Sequence, residues 1–283
     1  MNTGTYLSDW LALRSAELRP RTIESYRDLI DRYILPSIGA FPVEQLQPDC
    51  IRHLLAQIAG TGKTRTAELV YVMLKAAFAD LEPCPMRRIK RPAHVQRSPD
   101  AWSDDHIRAY LSALESHRHG LALSMGIIMG LRRGEICGLR WSDIDFSDGT
   151  LSICNQRQRM ATGEIVDCAP KSASSVRILP IPDGLLLRLR HARQLGGYIC
   201  SLTPSGLDAA HRALVVRLGL PYIPLHGLRH SMATACIRHG GDMRSLQSLL
   251  GHASYATTAN RYTHPDRDML RKAIDLSAAS CYY

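Results

Sequence analysis

Residues 225–264 read LHGLRHSMATACIRHGGDMRSLQSLLGHASYATTANRYTH, and the rest of the chain is organised around them. The run holds His226 and Arg229 in an H-x-x-R pattern, His252 after Leu-Leu-Gly, and Tyr262 before Thr-His. On a helix, the H-x-x-R spacing puts both side chains on one face. A tyrosine oxygen can act as a nucleophile, and cations can hold an anion that gains charge in the transition state. A phosphate suits such a site, because a planar guanidinium can form two parallel hydrogen bonds with two phosphate oxygens. Spacing alone leaves a basic helical hairpin with scattered histidines as the alternative.

These motifs resemble those of the tyrosine recombinases, the family of phage integrases and Xer-like proteins. That family carries H-x-x-R, then L-G-H, then Y-T-H, and all three stand in residues 225–264. A second family motif, G-L-R-x-x-E-x-x-x-L, is matched by GLRRGEICGL at residues 130–139, which contains Arg132 and Glu135. The lysine that the family carries between the two motifs is matched by Lys171 in APKSASSVRILPIP. The resemblance extends over nearly the whole chain.

The resemblance implies a transesterification on DNA with Tyr262 as the nucleophile. Tyr262 would attack a phosphodiester, form a 3′-phosphotyrosyl link and release a 5′-hydroxyl, whose oxygen Lys171 would protonate. Because a covalent intermediate retains the phosphoester bond energy, rejoining needs neither ATP nor a metal, and no cofactor is expected. The distance from His252 and the Y-T-H context select Tyr262 over Tyr255, whereas spacing alone does not decide between them.

The other residues of the implied site hold and orient the phosphate. Arg132 and Arg229 would bind its non-bridging oxygens, and one such donor contributes on the order of 10²–10³ in rate. His226 would act as a general base toward the tyrosine or as a phosphate donor, His252 would donate to a non-bridging oxygen, and Glu135 would orient the cluster. Arg132 follows a strongly apolar helix, and a buried cation needs a partner. Either Glu135 or a bound phosphate is expected to pair with it.

The composition favours a polyanionic partner. The chain has 283 residues, enough for two domains, and a formal net charge of +9. The N-terminus lacks the pattern of a signal peptide, and no apolar run approaches the roughly 20 residues of a membrane span. The cysteines form no C-x-x-C pair and are expected to be small buried residues in a reducing cytoplasm. They are Cys50, Cys84, Cys137, Cys154, Cys168, Cys200, Cys236 and Cys281.

The sequence predicts a mainly α protein with the tyrosine recombinase fold. Residues 1–84 are expected to form a four-helix, SAM-like core-binding domain that binds DNA, with one helix starting at Pro20 and stopping at Pro36 and Gly39. Residues 85–100 are rich in proline and arginine, which is typical of a basic linker. Basic residues of both segments are expected to contact DNA phosphates. They are Arg21, Arg27, Lys63, Arg65, Arg87, Arg88, Lys90 and Arg91.

Residues 101–283 are expected to form a mostly helical catalytic domain with a small three-stranded antiparallel sheet. Ser103 is expected to cap its first helix. The clearest strand is SVRILP, in which Val176 and Ile178 alternate with Arg177. A closing helix from residue 266 to about residue 279 has an apolar side, which would pack either on its own chain or on a neighbouring protomer.

Three other functions remain open from the residues alone. A type IB topoisomerase would use the same catalytic set to relax supercoils, and a non-catalytic DNA-binding protein would use the cations only to grip phosphates. A metal hydrolase built on His226 and His230 is disfavoured, because no carboxylate ligand is evident.

The expected partners of a recombinase are a duplex recombination site with inverted-repeat arms and further copies of the chain. The resemblance implies a monomer when free and a tetramer in the synaptic complex. A directionality factor is a possible further partner. The expected location is the cytoplasm, on the nucleoid. The residues do not separate an integrase from an Xer-like resolvase.

Overall fold

The computed structural model describes residues 1–93, 101–160, 162–170 and 176–251, together with Arg271, Ile274, Asp275 and Ser277. The chain divides into two compact units, Met1–Ser98 and Pro99–Tyr283. Both are mainly helical, and the second also contains short antiparallel sheets.

The first unit is a helical bundle. Its helices are α1 Thr3–Leu13, α2 Pro20–Leu29, α3 Leu35–Ile38, α4 Pro48–Gly60 and α5 Thr64–Ala77. A π-helical turn, Ile30–Ile34, joins α2 to α3, so the helix continues through Pro36 and ends at Gly39. The prediction that Pro36 stops this helix is wrong. Proline is tolerated in the first turn of a helical segment, and here the π turn places Pro36 at such a start.

Part of the predicted linker packs on this bundle. Met86 and Ile89 are buried in the core of the first unit, and the Tyr71 hydroxyl donates to the Ile89 carbonyl at 3.2 Å. Apolar residues at these two positions bury their side chains although the surrounding run is basic. Residues 85–91 therefore extend the bundle, while residues 94–100 lie outside the described residues.

The second unit contains seven labelled helices and five strands among the described residues. The helices are α6 Asp104–Glu115, α7 Gly120–Ile128, α8 Arg133–Gly138, α9 Asp183–His191, α10 Pro204–Arg217, α11 Leu225–Arg238 and α12 Met243–Leu250. The strands are β1 Ile144–Asp145, β2 Thr150–Ile153, β3 Gln156–Arg159, β4 Ile165–Cys168 and β5 Arg177–Pro180. The Ser103 hydroxyl caps α6, as predicted, and the Asp242 carboxylate caps α12.

The predicted three-stranded antiparallel sheet is formed by β1, β2 and β5, with β2 in the middle. Ile153 of β2 lies opposite Arg177 of β5. β3 does not continue β2 but pairs with β4 in a separate hairpin. Cys154, in the connection between β2 and β3, is exposed, contrary to the expectation that it is buried.

The core of the second unit surrounds α7, which packs against α6, α8 and α11. α7 is buried nearly all round, because its sequence is apolar on every face. Ile274 belongs to the same core, and the Ser277 hydroxyl donates to the Ile128 carbonyl at 3.5 Å. The described residues of the closing helix therefore pack on their own chain. Across the described residues, no helix combines the length and apolar character that crossing a membrane requires.

Candidate active site

Arg132 leaves the buried α7 through a turn at Gly130. Gly130 has a φ of +64°, and a Cβ there would lie 2.1 Å from the Met232 Cε, so the turn requires glycine. Arg132 is the N-cap of α8; its backbone N–H donates to Glu135 Oε2 at 2.9 Å and its Nη1 to Glu135 Oε1 at 2.8 Å. The Arg132 side chain is 32% exposed. Glu135 is thus the partner of this cation, and about a third of the Arg132 side chain remains exposed.

Glu135 lies between two arginines. Its side chain is 2% exposed, and Arg177 Nη1 and Nη2 donate to its two oxygens at 3.1 and 3.0 Å. Burial by itself would raise the pKa of Glu135, but the hydrogen bonds and charge of Arg177, followed by those of Arg132, outweigh it and lower the pKa. Glu135 is therefore a carboxylate at neutral pH.

Arg177 is the residue of this site that the motifs do not identify. In β5, Arg177 and Leu179 share one face, which is buried, whereas Val176 and Ile178 share the other face and are exposed. Both faces of the strand carry apolar residues, so the alternation of residue types does not show which face is buried. The buried face continues to Ile181, and this longer run is the signal that could have placed Arg177 inward.

α11 supplies the H-x-x-R pair. Arg229 is 3% exposed, and its Nη1 donates to the Gly130 carbonyl at 2.7 Å. Burial, followed by the nearby positive charge of Arg132, lowers the pKa of Arg229 to about 9, so it is still a cation at neutral pH. His226 lies one turn earlier and is more exposed. Partial desolvation of its ring, followed by the charges of Arg229 and Arg132, holds the pKa of His226 below its ordinary value, so it is mainly neutral at pH 7.

The end of α12 binds all three arginines. Its last turn and the following residue present consecutive backbone carbonyls, each of which accepts from one guanidinium. The pairs are Arg177 Nε with Leu249, Arg229 Nη2 with Leu250, and Arg132 Nη2 with Gly251. The C-terminus of a helix carries partial negative charge, which favours cations there. We call Arg132, Arg177, Arg229 and Glu135 the arginine cluster; it is joined to the end of α12 immediately before residue 252.

Three predicted site residues, Lys171, His252 and Tyr262, lie outside the described residues. The structure thus brings together Arg132, Glu135 and Arg229, all predicted, and adds Arg177. The place of the other three in the site stays a prediction.

The eight predicted DNA-contact residues all belong to the first unit and are all exposed. Three of them already have a carboxylate partner: Arg21 pairs with Glu24, and Arg65 and Arg91 both contact Glu68. Lys63 Nζ lies 5.4 Å from the centre of the Tyr33 ring. Exposure is consistent with phosphate contact, and their role stays a prediction.

Two family models match the chain. The model of the phage integrase family matches residues 103–269, and that of the phage integrase central domain matches residues 5–79. The first match covers more than half of the chain and includes all the residues of the predicted active site.

Related proteins agree with the family models. The chain is 29% identical over 297 residues to tyrosine recombinase XerC of Alcanivorax borkumensis, covering 97% of this chain and 94% of that protein. It is 30% identical over 303 residues to XerC of Methylobacterium nodulans, covering 94% and 90%. The chain is also 27% identical over 217 residues to a XerC-like tyrosine recombinase of Caldanaerobacter subterraneus. That match covers 64% of this chain and 56% of the relative, so the chain spans just over half the length of that protein.

Solved structures share the fold. The Tn1549 transposon integrase, in complex with transposon right end DNA, has a TM-score of 0.75 at 19% identity, covering 97% of this chain and 99% of that chain. A lambda integrase tetramer bound to a Holliday junction has a TM-score of 0.67 at 19% identity, covering 94% and 80%. Two matching domain models and a relative at 30% identity lead to one conclusion: the chain belongs to the phage integrase family of tyrosine recombinases, the enzymes of site-specific DNA recombination.

Proposed function

We propose that this chain cuts and rejoins DNA through a covalent link between Tyr262 and a 3′ phosphate, held by the arginine cluster. The observation that carries the proposal is the charge of this cluster. Arg132 and Arg177 bond to the one carboxylate, Glu135, while Arg229 bonds to backbone carbonyls, so the cluster has an excess of two positive charges in a mostly buried site. A phosphodiester carries one negative charge, and the pentacoordinate phosphorane gains a second. The cluster is therefore matched to the transition state better than to the ground state.

Two arginines of the cluster divide the binding of the phosphate. Arg132 is partly exposed and keeps donors directed outward, whereas Arg229 is fixed by the Gly130 and Leu250 carbonyls. Both geometries are set before DNA binds, so little reorganisation is needed during the reaction. Glu135 orients Arg132 through two hydrogen bonds.

The proton transfers involve His226, Lys171 and His252. His226 is mainly neutral at pH 7, so it can take the proton of the Tyr262 hydroxyl as the tyrosine oxygen attacks phosphorus. The bond from phosphorus to the 5′ oxygen breaks, and Lys171 gives that oxygen a proton. His252 donates a hydrogen bond to a non-bridging oxygen. Rejoining is the reverse reaction, with a 5′-hydroxyl as the nucleophile.

The solved relatives support a proposal for the substrate and the assembly. The solved relatives include a transposon integrase in complex with transposon right end DNA and a lambda integrase tetramer bound to a Holliday junction. We propose that this chain likewise assembles as a tetramer on DNA, and further that it is a monomer when free and that its site has inverted-repeat arms. It integrates a mobile element on the chromosome, in the cytoplasm, with the basic residues of the first unit contacting phosphates.

The test uses a nicked suicide duplex whose sequence comes from inverted repeats around a short spacer in the DNA that flanks the gene. The wild-type chain is expected to form a covalent protein–DNA adduct that survives denaturation. Tyr262→Phe is expected to form no adduct while binding the duplex with unchanged affinity, because only the nucleophilic oxygen is lost. Tyr255→Phe is the matched control and keeps the adduct. An adduct that persists in Tyr262→Phe contradicts the proposal.

A further inference from the structure

Arg177 is a buried member of the arginine cluster that contributes charge but is given no proton transfer and no bond to the phosphate in the scheme above. Its side chain is 7% exposed, against 32% for Arg132. Nη1 and Nη2 donate to the two Glu135 oxygens, and Nε donates to the Leu249 carbonyl at 2.7 Å. These donors point into the protein, so Arg177 binds Glu135 and α12 rather than the outer face at which Arg132 is exposed.

The two arginines share one carboxylate, and the sharing limits what each can do. Arg177 forms a two-bond pair with Glu135, whereas the Arg132 side chain forms a single bond through Nη1. A guanidinium beside an unshared carboxylate prefers the paired geometry. Without Arg177, Arg132 would turn toward Glu135 to form that pair and would direct fewer donors outward.

Arg177 also connects Glu135 to the end of α12. Its Nε bond to Leu249 is the first of the three guanidinium–carbonyl contacts along consecutive residues. The same side chain thus fixes the carboxylate that orients Arg132 and the helix end that precedes residue 252. Arg132 and His252 can contact the same phosphate only if the Glu135 carboxylate and the end of α12 are held close together.

We propose that Arg177 is a positioning residue for DNA cleavage: it occupies the paired face of Glu135 and thereby leaves Arg132 directed toward the phosphate. This inference rests on the proposed function. A displacement of about 1 Å in such a group can cost about 10²-fold in rate. Arg177→Gln is therefore expected to slow adduct formation about 10-fold to 100-fold. Its DNA affinity stays within about twofold of wild type, because the residue does not contact DNA.

The experiment measures single-turnover adduct formation on the suicide duplex, DNA affinity, and thermal unfolding. Arg177→Lys keeps the charge but cannot bond both carboxylate oxygens, so its rate is expected between those of wild type and Arg177→Gln. Since Arg177→Lys is the milder change, it also tests the inference if Arg177→Gln does not fold.

Arg188→Gln is the matched control. Arg188 is a partly buried arginine of the same unit that binds the Ser124 hydroxyl and the Leu114 carbonyl. This variant is expected to lose thermal stability and to keep the wild-type rate.

A double-mutant cycle with Glu135→Gln separates positioning from general structural support. If Arg177 acts through Glu135, adding Arg177→Gln to Glu135→Gln changes the rate less than threefold, because the carboxylate it positions is already gone. Multiplicative rate losses would overturn the inference, as would a wild-type rate in folded Arg177→Gln. A wild-type chain that binds the duplex but forms no adduct would instead refute the proposed function, so the two failures are distinguishable.

Discussion

Glu68 and Glu135 each lie between two arginines, and their surroundings differ. Glu68, in the first unit, contacts Arg65 and Arg91, whose side chains are 58% and 60% exposed. Glu135, in the second unit, contacts two arginines whose side chains are 32% and 7% exposed. The Glu68 side chain is itself only 9% exposed, so the two sets differ in their arginines: those of Glu68 lie at the surface, and those of Glu135 are more enclosed.

The difference separates binding from catalysis. Exposed ion pairs are weak, so the arginines of Glu68 can leave it for a phosphate at little cost. Enclosed pairs are costly to break, so the arginines of Glu135 keep fixed positions and charges. We infer that the Glu68 set serves affinity for DNA and the Glu135 set serves the rate of cleavage.

The largest expected contrast comes from removing each carboxylate in turn. Glu135→Gln removes the carboxylate that two arginines share at an enclosed site and is expected to lower the free energy of unfolding by about 3 kcal/mol. The same change is expected to slow adduct formation at least about 10-fold, because Arg132 loses its orienting partner. Glu68→Gln is expected to leave both quantities unchanged. Urea unfolding and single-turnover cleavage provide the measurements, and equal losses in the two variants would contradict the comparison.

A smaller contrast is expected in the salt dependence of DNA binding. Arg65→Gln and Arg91→Gln should each reduce the slope of log affinity against log salt by about 0.9, which corresponds to one phosphate contact. Glu68→Gln should raise the affinity slightly, since both arginines then lose a competing anion. Arg177→Gln should leave the slope unchanged. Anisotropy titrations over a salt series measure the slopes, and a reduced slope in Arg177→Gln would place that residue on the DNA after all.

The smallest effect concerns pH. A general base works in its neutral form, and the pKa of His226 lies below its ordinary value of 6.5. The cleavage rate is therefore expected to fall less than about twofold between pH 7.5 and 6.5, and to fall steeply only at lower pH. In His226→Gln the cleavage rate should be lower at every pH, and its decline at acidic pH should be absent. A steep decline that begins above pH 7 would show that another group controls the rate.

The sequence predicted those parts of the molecule that depend on local signals. Ser103 was predicted correctly as a helix cap, because capping depends on one side chain and the next turn. The prediction for Pro36 was wrong, because a π turn upstream is not visible in residue patterns. Met86 and Ile89 pack on the bundle although their basic surroundings indicated a linker.

The motifs name three residues that the fold brings together, and they do not name a fourth that only packing places beside them. Arg132, Glu135 and Arg229 are brought together as the motifs imply. Arg177 belongs to a strand with apolar residues on both faces, and the choice of face depends on contacts with Glu135 and α12 that are distant along the chain. Burial of a cation beside another cation is a property of the whole fold, so local patterns do not show it.

The most direct test of the central claim is to map the covalent bond itself. The adduct formed by the wild-type chain on the suicide duplex is digested with nuclease and protease, and the peptide that carries the nucleotide is sequenced by mass spectrometry. The account predicts a single modified residue, Tyr262, joined to a 3′ phosphate. A nucleotide attached to Tyr255 or to any other residue, or a 5′-phosphate link, would contradict it.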